Sequence, residues 1–461
     1  MMKKLYLLLF LMILSSCSED ATFVQDPFVV AFESLSKNLM AVESGTEIAL
    51  VYSETASENG TANIQITSEN AIYGIDFTTT PEAIGGKIVL DINSGESANS
   101  ITFNKINPFL DETTEIKLAV SSINYSNSNI QGHSEFILNA SASLGGSISP
   151  EVGGPNQGNQ VFVDLSSGAT TFAQRNSWDL GFYGGDAFRV AINGSVYMAV
   201  APLDFTDIDA VTESDVSGLK SQVAVGTFDA ENAAYIDAPN GNILETAMAE
   251  VSDSASENKV YLLNLGYEVG TATPNTGSVA VAGNHRGWKK IRILKNGKDY
   301  VLQYADLDAS THQEVTINKT ENYNFSFFSF NTNSVVDVEP EKERWDISFT
   351  VFTNIIEGAG SYGYSDFVTH NRKGDTEAYM VETTSFEYDA FALSNVDSNL
   401  FSKDQTTIGA NWRDVFSHTA FSDRFFVVKD PNGNIYKIKF LAMTNDNGER
   451  GYPEFQYELL Q

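Results

Sequence analysis

The sequence predicts an all-β protein, an N-terminal β-sandwich followed by two tandem antiparallel β domains. Three observations carry this expectation. Short segments in which apolar and polar residues alternate with period two recur along the chain, separated by Gly, Asn and Ser. Two pairs of such segments are joined through Asn-Gly, the dipeptide a tight hairpin accepts because it tolerates positive φ. Beyond residue 158 the chain repeats its own pattern of aromatic strands, and such a repeat marks a duplicated unit.

At 461 residues the chain exceeds one ordinary domain. Its 60 Asp and Glu against 28 Lys and Arg give a formal charge of −32, but 42% hydrophobic residues allow real cores, so the charge coats folded matter. That surface repels phosphate backbones, and no basic stripe interrupts it, which excludes nucleic acid as a partner. Attachment to a membrane takes another route. Lys3 and Lys4 precede the apolar residues 5–14, too few to span a bilayer, and Leu14-Ser15-Ser16-Cys17 follows. The segment resembles a bacterial lipoprotein signal, which implies removal of residues 1–16, acylation of Cys17 and a membrane anchor made of lipid. Cys17 is the single cysteine, so no intrachain disulfide is possible. Ser18-Glu19-Asp20 resembles the acidic tag with which Bacteroidetes export lipoproteins, so the protein is expected in the outer membrane, exposed at the cell surface, with residues 17–27 as a tether.

Residues 28–143 read as a sandwich. Glu47-Ile48-Ala49-Leu50-Val51-Tyr52, Ala62-Asn63-Ile64-Gln65-Ile66, Lys87-Ile88-Val89-Leu90-Asp91-Ile92 and Ile116-Lys117-Leu118-Ala119-Val120 alternate at the spacing of antiparallel strands. The order of Val42-Glu43-Ser44-Gly45, Tyr73-Gly74-Ile75-Asp76-Phe77, Ile101-Thr102-Phe103 and residues 112–115 resembles the Calx-beta family. That resemblance implies Glu43, Asp76, Asp111, Glu112 and Glu115 as candidate calcium ligands, since a hard cation wants six to eight oxygens. The competing reading is a spacer whose carboxylates are simply solvated. Residues 144–158, rich in Gly, Ser, Pro and Asn without an apolar period, read as a linker.

The repeat then begins, with copies expected at 159–318 and 319–461. Phe162-Val163-Asp164-Leu165 followed by Trp178-Asp179-Leu180-Gly181-Phe182 returns as Phe327-Phe328-Ser329-Phe330 followed by Trp345-Asp346-Ile347-Ser348-Phe349. The hairpin through Asn296-Gly297 matches the one through Asn432-Gly433, and residues 314–317 match 454–457. From Trp-Asp to the hairpin glycine there are 119 residues in the first copy (178 to 297) and 88 in the second (345 to 433), so the first carries an insertion. Thr212-Glu213-Ser214-Asp215 within it starts like a capped short helix.

The second copy, with its Trp-Asp strand, hairpin and closing Phe455-Gln456-Tyr457, resembles the HmuY family of Bacteroidetes, and the first copy resembles it more loosely. The resemblance implies a non-catalytic, lipid-anchored haem-binding protein whose iron is held by side chains from two loops, and it makes haem or a haemoprotein, and an outer-membrane uptake receptor, expected partners. His370 and His418 are the expected axial pair and Met380 a spare ligand. Arg372, Lys373 and Arg413 lie nearby in sequence and are candidates for the propionates. The first copy offers His285 and His312, with Met198 and Met248 as possible partners. No nucleophile elbow, phosphate loop, HExxH or zinc-spaced set appears, and Asp179 and Asp346 read as structural residues, so no enzyme is expected. The alternative is a surface binding or structural protein that contacts a glycan or another protein and whose duplicated domains have lost haem.

Overall fold

The fold is taken from a computed structural model that describes residues 27–461 apart from 40, 41, 43, 111, 112, 140 and 141. Almost all regular structure is β. The capped helix expected in the insertion forms over Glu213–Val216, where the Thr212 N–H donates to Asp215 Oδ2 at 2.8 Å.

The N-terminal unit is two five-stranded sheets packed face to face. One runs in the order Phe77–Thr80, Ala98–Lys105, Gly45–Tyr52, Phe28–Phe32, Ser128–Asn129, the other Ser36–Asn38, Glu135–Asn139, Glu115–Asn124, Gly60–Glu69, Lys87–Ile92. Period-two patterning makes the core: in Lys87–Ile92 the residues Ile88, Leu90 and Ile92 are buried and those between them exposed. Asp76 braces its own loop, accepting from Ile72 N–H at 2.7 Å and Asn107 Nδ2 at 2.8 Å. Glu115 is exposed, while Glu43, Asp111 and Glu112 lie outside the described residues.

The duplicated region holds two four-stranded and two five-stranded sheets. Its halves exchange their first strands. Asn159–Asp164, first strand of the first copy, pairs with Ile347–Ile356 of the second, with Val161 opposite Phe349 and Val163 opposite Ile347. Reciprocally, Phe325–Ser329 pairs with Leu180–Tyr183 of the first copy, Leu180 opposite Phe328. The segment expected to be a linker is also structural: Gly145–Ile148 adds to Arg450–Leu459 at the edge of the C-terminal sheet, Ile148 opposite Phe455.

Both Asn-Gly turns form, with Gly297 at φ +63° and Gly433 at φ +87°. They are not equivalent in the sheets. The five-stranded order is Ala199–Pro202, Val260–Asn264, Trp288–Asn296, Asp299–Ala305, Gln313–Ile317 in the first half and Glu377–Glu382, Arg424–Lys429, Ile435–Thr444, Arg450–Leu459, Gly145–Ile148 in the second. Counted from the strand that opens each sheet, the sequence-matched hairpins are displaced by one position. Residues 265–287 occupy the place in the first half that a tight turn fills in the second.

Candidate functional site

The Trp-Asp pairs hold the exchanged strands. In the first half the Asp179 N–H donates to Phe328 O at 2.8 Å, and Asp179 Oδ2 accepts from Phe330 N–H at 2.6 Å. In the second, the Asp346 N–H donates to Val163 O at 2.8 Å and Asp346 Oδ2 accepts from Leu165 N–H at 2.8 Å. The indoles follow the same rule: Trp178 meets Phe327 edge-on at 4.8 Å, and Trp345 meets Phe162 edge-on at 5.1 Å. An asparagine closes each motif, Asn193 Nδ2 donating to Trp178 O at 2.8 Å and Asn371 Nδ2 to Trp345 O at 3.0 Å. Each aspartate thus supplies an acceptor to an N–H at the end of a foreign strand, which would otherwise be buried without a partner.

Bringing the two motifs together leaves a cleft of about 180 Å³ between the halves, walled by Phe162, Phe327, Trp178 and Trp345, with Met198 from the first half and His370 from the second. His370 ends the strand Gly360–His370 and is 1% exposed; for hydrogen bonding its imidazole meets the backbone of Lys403 and no side chain, which leaves at least one ring nitrogen without a partner. A strap from the insertion, residues 236–246, covers the cleft. It is latched to the other half by Gln405, whose N–H donates to Asn240 O at 3.1 Å and Nε2 to Pro239 O at 2.9 Å, and by Arg372 Nη1, which donates to Asn240 O at 3.0 Å.

Burial sets the charge state of the lining. It pushes Asp237 up to about 6 and Glu339 up to about 7, and draws Lys373 down to about 8. Asp237 already accepts from Ile192 and Ala247 N–H at 2.8 and 2.9 Å, and Glu339 from Phe325 N–H at 2.9 Å. Lys373 makes a ring contact with Phe325 at 5.4 Å and donates no hydrogen bond to a described residue. Burial also draws His370 down to about 4, so at neutral pH the imidazole is uncharged and has a lone pair free.

That shift has a measurable consequence for stability. The unfolded chain protonates His370 near 6.5 while the folded one resists until about 4, so the stabilising effect is complete above 6.5 and is lost as the pH falls towards 4. In urea denaturation, a His370→Leu variant is expected to gain about 3 kcal/mol relative to wild type between pH 7 and pH 4. A constant difference across that range would disprove a neutral buried imidazole.

Of the residues singled out in the sequence, His370, Arg372 and Lys373 line the cleft, and Met198 faces it from the other half. His418 does not. It sits at φ +58° in the turn between Arg413–Asp414 and Thr419–Ala420, packed against Gly277. Arg413 is buried and spent on backbone carbonyls, donating to Ser365 O at 2.7 Å, and Met380 is 37% exposed on the strand Glu377–Glu382. The expected His370 and His418 pair is therefore not assembled at this cleft. His285 Nε2 lies 2.9 Å from Asn264 Oδ1, His312 Nδ1 lies 2.9 Å from Asp209 Oδ1, and Met248 is packed in the first-half core. Cys17 lies outside the described residues, and among those described no cluster of three or more His, Cys, Asp or Glu could hold a metal ion. Sequence reasoning missed Asp237 and Glu339, isolated carboxylates in loops that look like solvated surface, and took both tryptophans as purely structural.

The fold and its cleft define a ligand-binding β protein of duplicated design. The HmuY protein family matches residues 156–318 and again 321–457, and the chain belongs to this family, whose domains are associated with haem binding and not with catalysis. The N-terminal region is similar to a solved structure titled "Crystal structure of Apo-form Calx CBD1 domain", at 14% identity and TM-score 0.21, covering 25% of this chain and 97% of that one. No match is found among curated proteins.

For haem, the donor chemistry fits one axial bond. His370 is neutral, keeps a free ring nitrogen and is walled by aromatic rings, with Lys373 and Arg372 beside it as candidate counter-charges for propionates. The closed cleft is smaller than the roughly 300–1,000 Å³ typical of drug-sized ligands, so a macrocycle enters only if the strap lifts. No helix among the described residues is long and apolar enough to cross a membrane.

Proposed function

We propose that this protein is a non-catalytic lipoprotein, anchored at the cell surface through Cys17, that captures haem in the cleft between its duplicated halves for delivery to an uptake receptor. The observation that supports this reading best is His370, a buried and neutral imidazole with a ring nitrogen free, in an aromatic cleft of an HmuY-family chain. Bound there, the haem would present its iron to one imidazole nitrogen and its rings to Phe and Trp side chains, which supply most of the affinity by burial. Haem supplies no reaction in this reading; the chain binds, shields and releases it. The strap latch makes capture slow to form and slow to leave.

A haem titration of the chain from Ser18 onward, followed by absorbance, tests this. A saturable Soret shift is expected, weakened about a hundredfold in His370→Ala, equivalent to about 3 kcal/mol, and unchanged in His418→Ala. Loss of the shift in His418→Ala but not His370→Ala would move the site away from the cleft, and no shift with wild type would end the haem reading.

A further inference from the structure

Trp178 and Trp345 occupy corresponding positions in the duplication, and both indole Nε1–H groups are buried without an acceptor. Buried donors are almost always satisfied, because an unmade hydrogen bond carries the full desolvation penalty of the group. One orphan is an exception; two at equivalent places in the duplication, both lining one cleft, are a pattern. The other two tryptophans differ: Trp412, 1% exposed, donates its Nε1–H to Asp366 O at 3.1 Å, and Trp288 is half-buried and lines no part of the cleft.

The free hydrogen-bonding capacity of the cleft is mostly of one kind. Both indoles and the Lys373 ammonium are donors without a hydrogen-bond acceptor among the described residues, against one unpartnered acceptor, Gln160 Oε1. The lining carboxylates Asp237 and Glu339 accept from backbone N–H groups and offset the charge of Lys373, but neither is hydrogen-bonded to an indole. What completes such a site is a ligand that brings acceptor oxygens on a flat apolar body.

From this geometry we infer that Trp178 and Trp345 are ligand-contact residues, a pair of indole donors that hold the carboxylate of a planar aromatic acid in the cleft. The inference rests on the cleft being the binding site proposed above, but not on iron. Its carboxylate has two possible sources, the propionates of a porphyrin or a smaller aromatic acid, and the closed volume of about 180 Å³ favours the smaller one while the strap is down.

The experiment uses the chain from Ser18 onward with ¹⁵N-labelled tryptophan, whose four indoles give four N–H signals, each assigned by a Trp→Phe variant. The probes are 2-naphthoate and iron-free protoporphyrin IX. On saturation the Trp178 and Trp345 signals are expected to move downfield as their hydrogen bonds form, while Trp412, already bonded, stays in place. Trp178→Phe and Trp345→Phe are each expected to weaken binding roughly tenfold, the effect of one lost hydrogen bond. Their thermal melts check that the fold survives, and the wild-type spectra carry the test if a variant does not fold. Binding of either probe with both signals unmoved and both variants at wild-type affinity would overturn the inference and leave the indoles to ordered water. If 2-naphthoate binds with the expected shifts and haem does not bind at all, the haem reading falls and the indole pair stands. If haem binds and the variants match wild type, the reverse holds. If neither probe binds, the indole inference falls.

Discussion

Expressed alone, residues 319–461 are expected not to fold. The second half builds its core around side chains that lie before residue 166: Val152, Val161, Val163 and Leu165 are at most 5% exposed and pack with Ile347, Phe349, Phe440 and Phe455. Four buried aliphatic side chains contribute roughly 6–12 kcal/mol by area, about the whole stability of an ordinary domain. Removing them also strips a neighbour from Ile347–Ile356 and the edge strand from Arg450–Leu459, while Phe325–Ser329 keeps only its hairpin partner Ser334–Val336. Circular dichroism and a thermal melt are expected to show no cooperative transition for this fragment. A permuted chain in which residues 144–166 are joined to 331–461 restores the missing strands and is expected to melt cooperatively. A sharp melt of 319–461 alone would show that the strand exchange is dispensable.

Asp179→Asn is expected to cost about 3–5 kcal/mol, whereas Asp346→Asn costs less than about 1. The two aspartates hold equivalent positions and bond equivalent N–H groups, so sequence alone treats them alike. Their surroundings differ. Asp179, fully buried, has Arg286 Nη1 at 2.7 Å from Oδ1, in a contact whose geometry is that of an ion pair, and that guanidinium also donates to Leu265 O at 3.1 Å. Burial raises the Asp179 carboxyl and Arg286 opposes the rise. Neutralising Asp179 leaves the buried Arg286 with only the longer ion-pair contact to Glu268 Oε1 at 3.9 Å, and that loss is larger than the bond itself. Asp346 has no such cation: burial first, then the neighbouring Asp164, push it well above the usual carboxylate range, which favours the protonated form. An amide is neutral, as is the form of Asp346 that burial favours, so the exchange is expected to cost less there.

The pH dependence has a definite sign. An aspartate raised in the folded state favours folding below its unfolded value near 3.9 and progressively disfavours it as the pH rises, because the unfolded chain ionises first. Asp346→Asn is therefore expected to gain on wild type between pH 4 and pH 7 in chemical denaturation. Equal losses for the two variants at pH 7 would mean that Arg286 does not discriminate the halves.

The strand segments, both Asn-Gly turns, the capped helix and the Trp-Asp repeat were all legible, because each is a local match between side-chain period or turn chemistry and backbone geometry. Part of the site was legible too. His370, Arg372 and Lys373 form one short run, and a histidine beside two cations drew attention to it. The rest of the site depended on distance: Asp237 and Glu339 are loop carboxylates whose burial comes from packing between segments about a hundred residues apart. His418 failed as a partner because adjacency to a hairpin says nothing about which way a loop faces, and its left-handed turn places it against Gly277 instead.

By itself, then, the sequence determined that this is a duplicated all-β chain with an aromatic strand and a Trp-Asp motif in each copy. It could not decide which Trp-Asp strand each first strand would join. Phe162-Val163-Asp164-Leu165 and Phe327-Phe328-Ser329-Phe330 carry the same alternation and the same N–H to offer an aspartate, so either partner satisfies either strand locally. Only the tertiary structure makes that choice, by crossing the strands and burying Val161 and Val163 against Ile347 and Phe349. That crossing brings Trp178 and Trp345 into the lining of one cleft, and with them its unmet donors.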